Sequence, residues 1–297
     1  MKFAAIDIGS NAVRILFCNI YDKEPEPLIK KSSLVRIPIR LGEDVFLNGR
    51  ISPEKIKKLI LAMQGFKKLM QAQDVVAIRA CATSAMREAV NGAEVVKRIK
   101  KEAEIDVEII SGEMEAEIIF STHLADKFLD KKSYLYIDVG GGSSEITLFS
   151  KSKKIASRSF DIGTIRMLHK KEFKVEFREL ISWVELNVSG LKNLIAVGTG
   201  GNINKLSKLG KKKENKYLDF EKLSQLDQYL NKFTYQERIE TLGLNPDRAD
   251  VIIHATKIFL TVMKAANINK IFIPQTGLTD GIIKLLYSDY QKNKRSF

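Results

Sequence analysis

An internal repeat constrains this chain more than any other feature. Ile6-Asp7-Ile8-Gly9 and Ile137-Asp138-Val139-Gly140 align at an offset of 131 residues in a chain of 297. In each copy a short apolar run leads to an aspartate, a loop of small residues and a second apolar run, with Ile15 matching Ile146. Both units read as a buried strand, a tight loop and a returning strand. Glycine permits positive φ and a close backbone approach, so such a loop can aim N–H groups at an anion. One copy alone reads first as an ordinary hairpin turn. Two copies at half-chain spacing point to duplicated α/β domains, each offering a loop to a shared cleft.

The remaining pattern alternates strands and helices. Residues 28–40 read as a third strand, and Ser52-Pro53-Glu54 opens a helix with Ser as cap and Pro at its first position. Residues 74–80 and 107–110 read as strands, with helices from Thr83 and over 92–102, and a longer one from Ser111 to about Phe128. The second half reads as strands at 134–139, 145–150, 155–160 and 194–197, with a last one at 271–273. Helices are expected at 162–170, 176–190, 202–209, 219–231 and 247–266, and a closing one near 279–290.

Composition narrows the class. No apolar run reaches 18 residues, and Asp7 interrupts any apolar leader, so neither a membrane span nor a secretory signal is expected. Cys18 and Cys81 lack metal or redox spacing, and a reducing cytoplasm is the expected setting. The formal charge of +13 is uneven. Residues 1–121 hold 19 basic and 17 acidic side chains, and residues 122–297 hold 30 and 19. A basic second half suits a polyanionic partner, although a lysine-rich surface with no ligand has the same composition.

Asp138-Val139-Gly140-Gly141-Gly142-Ser143-Ser144-Glu145 is the strongest constellation. One carboxylate closes a strand and another opens the next, around a glycine-rich loop. Such a pair suits a hard, oxygen-preferring cation such as Mg²⁺. A turn with its amides satisfied by Asp138 explains that residue but gives no use to Glu145. Gly198-Thr199-Gly200-Gly201-Asn202 is either a tight strand–helix turn or a phosphate site at a helix N-terminus. It matches neither the P-loop nor the dinucleotide fingerprint. Glu113, Glu115 and Glu117 fall on the first turns of one helix, where acids are favourable in any case. Thr83-Ser84-Ala85-Met86-Arg87 offers hydroxyls and one arginine suited to phosphate; alone, Arg87 reads as a surface arginine. His123, His169 and His254 are too scattered for a ligand set or a Ser–His–Asp arrangement.

Together these motifs resemble the exopolyphosphatase / guanosine pentaphosphate phosphohydrolase (Ppx/GppA) family, within the superfamily of actin, sugar kinases and the large heat-shock chaperones. The resemblance rests on residues 5–11, 82–87 and 110–116, on residues 137–145 and 197–202, and on Asn245-Pro246-Asp247-Arg248-Ala249-Asp250 and Gly277-Leu278-Thr279-Asp280-Gly281. It implies an α/β fold of two ribonuclease-H-like domains, at 1–124 and 125–297, with a phosphate-binding cleft between them. The closing helix near 279–290 would pack back on the first domain. Glu115 falls at the position of the catalytic base. Asp138 and Glu145 match metal- and water-positioning acids, with Asp7 as a third metal ligand, and Arg87 matches a catalytic phosphate-binding arginine. Phosphate binding is expected of Gly9, Ser10, Asn11 and Arg14, of Gly140, Gly141, Gly142, Ser143 and Ser144, and of Gly200, Gly201 and Asn202.

The implied activity is Mg²⁺-dependent release of terminal orthophosphate from inorganic polyphosphate, with Mn²⁺ as a substitute metal. The alternatives are a guanosine pentaphosphate (pppGpp) 5′-phosphohydrolase, a short-chain polyphosphatase, a catalytically weak polyphosphate- or nucleotide-binding regulator, and a kinase of the same superfamily. A cytoplasmic homodimer is expected, with no membrane and no specific nucleic acid as partner. Lys205, Lys208 and Lys211-Lys212-Lys213 would meet a long polyphosphate chain. Glu117 stands where many members have Arg, and the C-terminal helical extension of longer members is not expected.

Overall fold

The computed structural model describes residues 1–23, 27–122, 132–151, 153–169, 172–191, 193–210 and 216–295. The chain divides into two units, Met1–Thr122 with Gly277–Phe297, and His123–Thr276. The closing segment therefore belongs to the first unit, not to a second domain running 125–297.

In the first unit β1 (Lys2–Ile8), β2 (Val13–Tyr21) and β3 (Leu28–Ile37) form an antiparallel meander. The helices α1 (Leu41–Asn48) and α2 (Pro53–Ala72) follow. Next come β4 (Ala77–Ala82), α3 (Ser84–Glu88), α4 (Gly92–Ala103), β5 (Val107–Ile109) and α5 (Gly112–Ser121). β4 and β5 add in parallel beside β1, giving the order β3-β2-β1-β4-β5 of a ribonuclease-H-like sheet. Alternation along β1 serves two cores. Ala4, Ile6 and Ile8 join Leu59, Met63 and Phe66 of α2 on one face. Phe3 and Ala5 join Ile118 and Ile119 of α5, with Ile282 and Ile283 of the closing segment, on the other. A strand covered on both faces reads as one continuous apolar run, as this one does.

The second unit opens with β6 (Ser133–Val139), β7 (Ser144–Ser150), β8 (Lys153–Phe160), α6 (Thr164–His169) and α7 (Lys174–Val188). It continues with β9 (Leu194–Thr199), α8 (Gly201–Leu209), β10 (Tyr217–Asp219) and α9 (Phe220–Asn231). α10 (Tyr235–Glu240), α11 (Pro246–Ala249), α12 (Ile252–Ala265) and β11 (Lys270–Phe272) complete it. The order β8-β7-β6-β9-β11 repeats that of the first sheet, with β10 added antiparallel at the edge. Leu135, Ile137 and Val139 pack on Leu180 and Val184 of α7 and on Phe259 and Val262 of α12. Both units thus have a ribonuclease-H-like arrangement.

The last helix, α13 (Leu278–Arg295), lies in the first unit against α5. The approach needs Gly281, because a Cβ there would stand 2.0 Å from the Ile118 carbonyl oxygen. Several boundaries differ from the sequence reading. The strand expected to reach Arg40 stops at Ile37, and α1 follows a left-handed Arg40 (φ 58°). The helix expected over 247–266 is split into α11 and α12. No described helix is long and apolar enough to cross a membrane.

Candidate functional site

In the first unit, Asp7 lies next to the end of β1, directly opposite Arg14 of β2. Arg14 Nη1 lies 3.2 Å from Asp7 Oδ2. Burial pushes the Asp7 carboxyl above its usual range, while Arg14 and then Arg36 pull it back. Asp7 was expected to bind a metal, but its carboxylate already has a cation, and that cation is a side chain. The loop at 9–11 closes through the Gly9 N–H donating to Ala12 O at 3.2 Å. Behind it, the Gly42 N–H donates to Ser10 O and the Arg40 N–H to Asn11 O. Ser10 Oγ accepts from the Ala85 N–H at the start of α3.

α5 begins where a capping serine dictates. Ser111 Oγ accepts from the Met114 N–H, and Arg87 Nη1 donates to Ile110 O at 2.6 Å just before the cap. This holds Arg87 at the entrance to the helix that bears Glu115. Of the three acids on that helix Glu115 is buried, while Glu113 and Glu117 are exposed. Burial separates a candidate base from two solvated neighbours, which their spacing alone did not do.

In the second unit, Asp138 faces Glu145 across β6 and β7, and Thr199 lies opposite Asp138 on β9. Thr199 Oγ1 donates to Asp138 Oδ1 at 2.6 Å. Ser143 Oγ and Ser159 Oγ donate to Glu145 Oε1 at 2.6 and 2.9 Å. Each carboxylate therefore accepts from at least one buried or half-buried hydroxyl. The loop closes as in the first unit, with the Gly140 N–H donating to Ser143 O at 3.0 Å. Ser144 departs from expectation: its hydroxyl donates to Ile162 O at 2.5 Å and is buried, so it serves the fold rather than a phosphate.

Gly200 caps α8 with φ 99°, and a Cβ on it would stand 3.2 Å from Asp138 Oδ1. The helix N-terminus with Gly201 and Asn202 therefore begins beside that acid. Arg248 Nη1 donates to Gly201 O at 2.9 Å, bringing a guanidinium to the same helix start. Lys205 adds a second cation: burial, then Arg248 and Lys208, push its ammonium below the usual range. Asn245-Pro246-Asp247-Arg248 carried the family resemblance, but spacing gave Arg248 no role. In the sequence Thr199 reads only as part of a glycine loop. Ser159 left no signal, because only strand register brings it to Glu145. His254 is half-buried, and burial lowers its imidazole below the usual range. His123 and Lys211, Lys212 and Lys213 lie outside the described residues.

The Ppx/GppA phosphatase family model matches residues 32–289. The bifunctional 3-dehydroquinate synthase/phosphatase of Fusobacterium nucleatum is 27% identical over 289 residues, covering 88% of this chain and 43% of that protein. The chain thus spans under half the length of this relative. Exopolyphosphatase 1 of Mycobacterium tuberculosis is 24% identical over 305 residues, covering 95% of this chain and 87% of its own. The crystal structure of an exopolyphosphatase from Cytophaga hutchinsonii is similar with a TM-score of 0.85 at 23% identity, covering 97% of this chain and 98% of the other; this likeness shows the fold. Duplicated loops, a carboxylate pair and a family match across most of the sequence lead to one conclusion: the chain belongs to the Ppx/GppA phosphatase family.

Proposed function

We propose that this phosphatase releases terminal orthophosphate from inorganic polyphosphate in a Mg²⁺-dependent reaction. The facing pair Asp138 and Glu145 carries the proposal. Like charges at one cross-strand position repel, and a cation between them removes the cost. The hydroxyls of Thr199, Ser143 and Ser159 complete an oxygen-rich surrounding that fits a hard divalent ion. Asp138 and Glu145 would hold that ion, which when bound would neutralise charge on the phosphate oxygens.

The amides of Gly141, Gly142 and Ser143 have no backbone acceptor among the described residues and would bind phosphate oxygens. Arg87 of the first unit, and Arg248 and Lys205 of the second, add positive charge for a polyanion. Glu115 accepts a proton from water as the water oxygen bonds to the terminal phosphorus. The anhydride P–O bond breaks, and the leaving chain is one phosphate shorter. Relatives named exopolyphosphatase and the basic second half support polyphosphate as substrate.

The test is orthophosphate release from polyphosphates of several lengths and from pppGpp, each with and without Mg²⁺. Polyphosphate should be cleaved faster than pppGpp, and only with the metal. Release from pppGpp alone would make the protein a nucleotide phosphohydrolase. Binding without release from either would make it a regulator.

A further inference from the structure

The two loops are held from behind in matching ways. Gly42 N–H donates to Ser10 O at 2.8 Å, and Ile165 N–H donates to Gly141 O at 2.8 Å. Ser10 and Gly141 correspond through the repeat, as do Asn11 and Gly142. Asn11 O is held by the main-chain N–H of Arg40 at 2.9 Å. Gly142 O is held by a side chain, Arg166 Nε, at 2.8 Å. The Thr164 N–H takes the remaining carbonyl, Gly140 O, at 3.1 Å. Gly163 lets α6 come this close, since a Cβ there would stand 2.2 Å from the Gly142 carbonyl carbon.

A trans peptide directs its C=O and the following N–H in opposite directions. Carbonyls of residues 140, 141 and 142 drawn toward α6 therefore turn the amides of Gly141, Gly142 and Ser143 away from it. We propose that Arg166 is a positioning residue, whose guanidinium fixes the Gly142–Ser143 peptide so that the Ser143 N–H is presented to a phosphate oxygen. Asp161, with Oδ1 at 3.8 Å from Nη2, helps orient the guanidinium. In the first unit the backbone of a left-handed Arg40 does the corresponding work. The proposal rests on taking residues 140–144 as the phosphate loop.

The test compares the full-length wild type with Arg166→Gln and Arg166→Lys. Nitrogen-15 relaxation without substrate reports the loop, and steady-state kinetics on tripolyphosphate with Mg²⁺ reports its use. In Arg166→Gln the order parameters of the Gly142 and Ser143 amides should fall from about 0.85 to below about 0.6. Its KM should rise about tenfold with kcat within about threefold, as one lost charge-assisted hydrogen bond would give. Arg166→Lys keeps a donor and should recover most of both. Rigid amides in Arg166→Gln, or a fall in kcat at unchanged KM, would overturn the assignment. If Arg166→Gln does not fold, a loosened loop in folded Arg166→Lys overturns it, and a rigid one upholds it. Wild type inactive on tripolyphosphate would instead refute the proposed activity, and the relaxation comparison would still decide the positioning.

Discussion

Asp7 faces Arg14 across the first hairpin, whereas Asp138 faces Glu145 at the corresponding positions of the second. Strand order, loop length and the hydrogen bond that closes the loop are shared. What differs is the sign of one side chain. In the first unit the pair neutralises itself, and Arg14 is left anchored at the loop. In the second, two acids sit side by side with serine and threonine hydroxyls, the surroundings on which the proposed cation site rests. On the proposed reading a duplicated scaffold takes a new task through one residue, with the shared five-strand order kept.

Glu145→Arg would copy the first pair into the second hairpin and should break the difference outright. The sheet should form, since Asp7 and Arg14 already occupy this geometry, and circular dichroism should match wild type. Phosphate release should fall by about 10⁴-fold or more, because the charge stabilisation a metal supplies is worth several kcal/mol. Near-native turnover would sink the cation-site assignment. Glu145→Gln is the milder form and should raise the Mg²⁺ concentration for half-maximal activity.

Glu115→Gln tests the first unit's own contribution. It keeps size and polarity but cannot accept a proton, so kcat should fall about 10²–10⁴-fold with KM retained. Native kcat at saturating substrate and Mg²⁺ would remove Glu115 from the chemistry. It would leave the first unit with a binding role alone.

The comparison also shows which parts were legible in the sequence. The repeat, the hairpin in each copy and the candidate acids could be read because buried strands write continuous apolar runs and the loops write glycine. Ser111 announced α5, and burial then separated Glu115 from Glu113 and Glu117. Other features depended on tertiary contacts. Ile37 and Ile39 continue the alternation of β3, and only Pro38 between them, which cannot donate to the ladder, marks the stop at Ile37; the left-handed Arg40 that follows leaves no local sign. Ser159 and Arg166 reach the site by register and by close packing of α6. One miss was avoidable: Thr234 and Glu237 form a capping box whose spacing is plain in the sequence, and it starts α10.

Asp7→Asn makes the smallest and most discriminating change, because it asks whether the first pair is governed by attraction or by burial. The Asp7 carboxyl is raised from 3.8, with burial the largest cause and Arg14 opposing it. A raised folded-state pKa means that the native protein binds this proton more tightly than the unfolded chain. Its stabilising contribution is therefore complete below 3.8 and is lost as pH rises through the folded value. Asparagine does not titrate. The melting temperature of Asp7→Asn relative to wild type should then rise with pH across that window. Thermal melts at a series of pH values from acid to neutral measure it. A difference that moves the other way would mean that the Arg14 ion pair outweighs the burial of Asp7, and the first hairpin would then be held together by the charge pairing that the second one lacks.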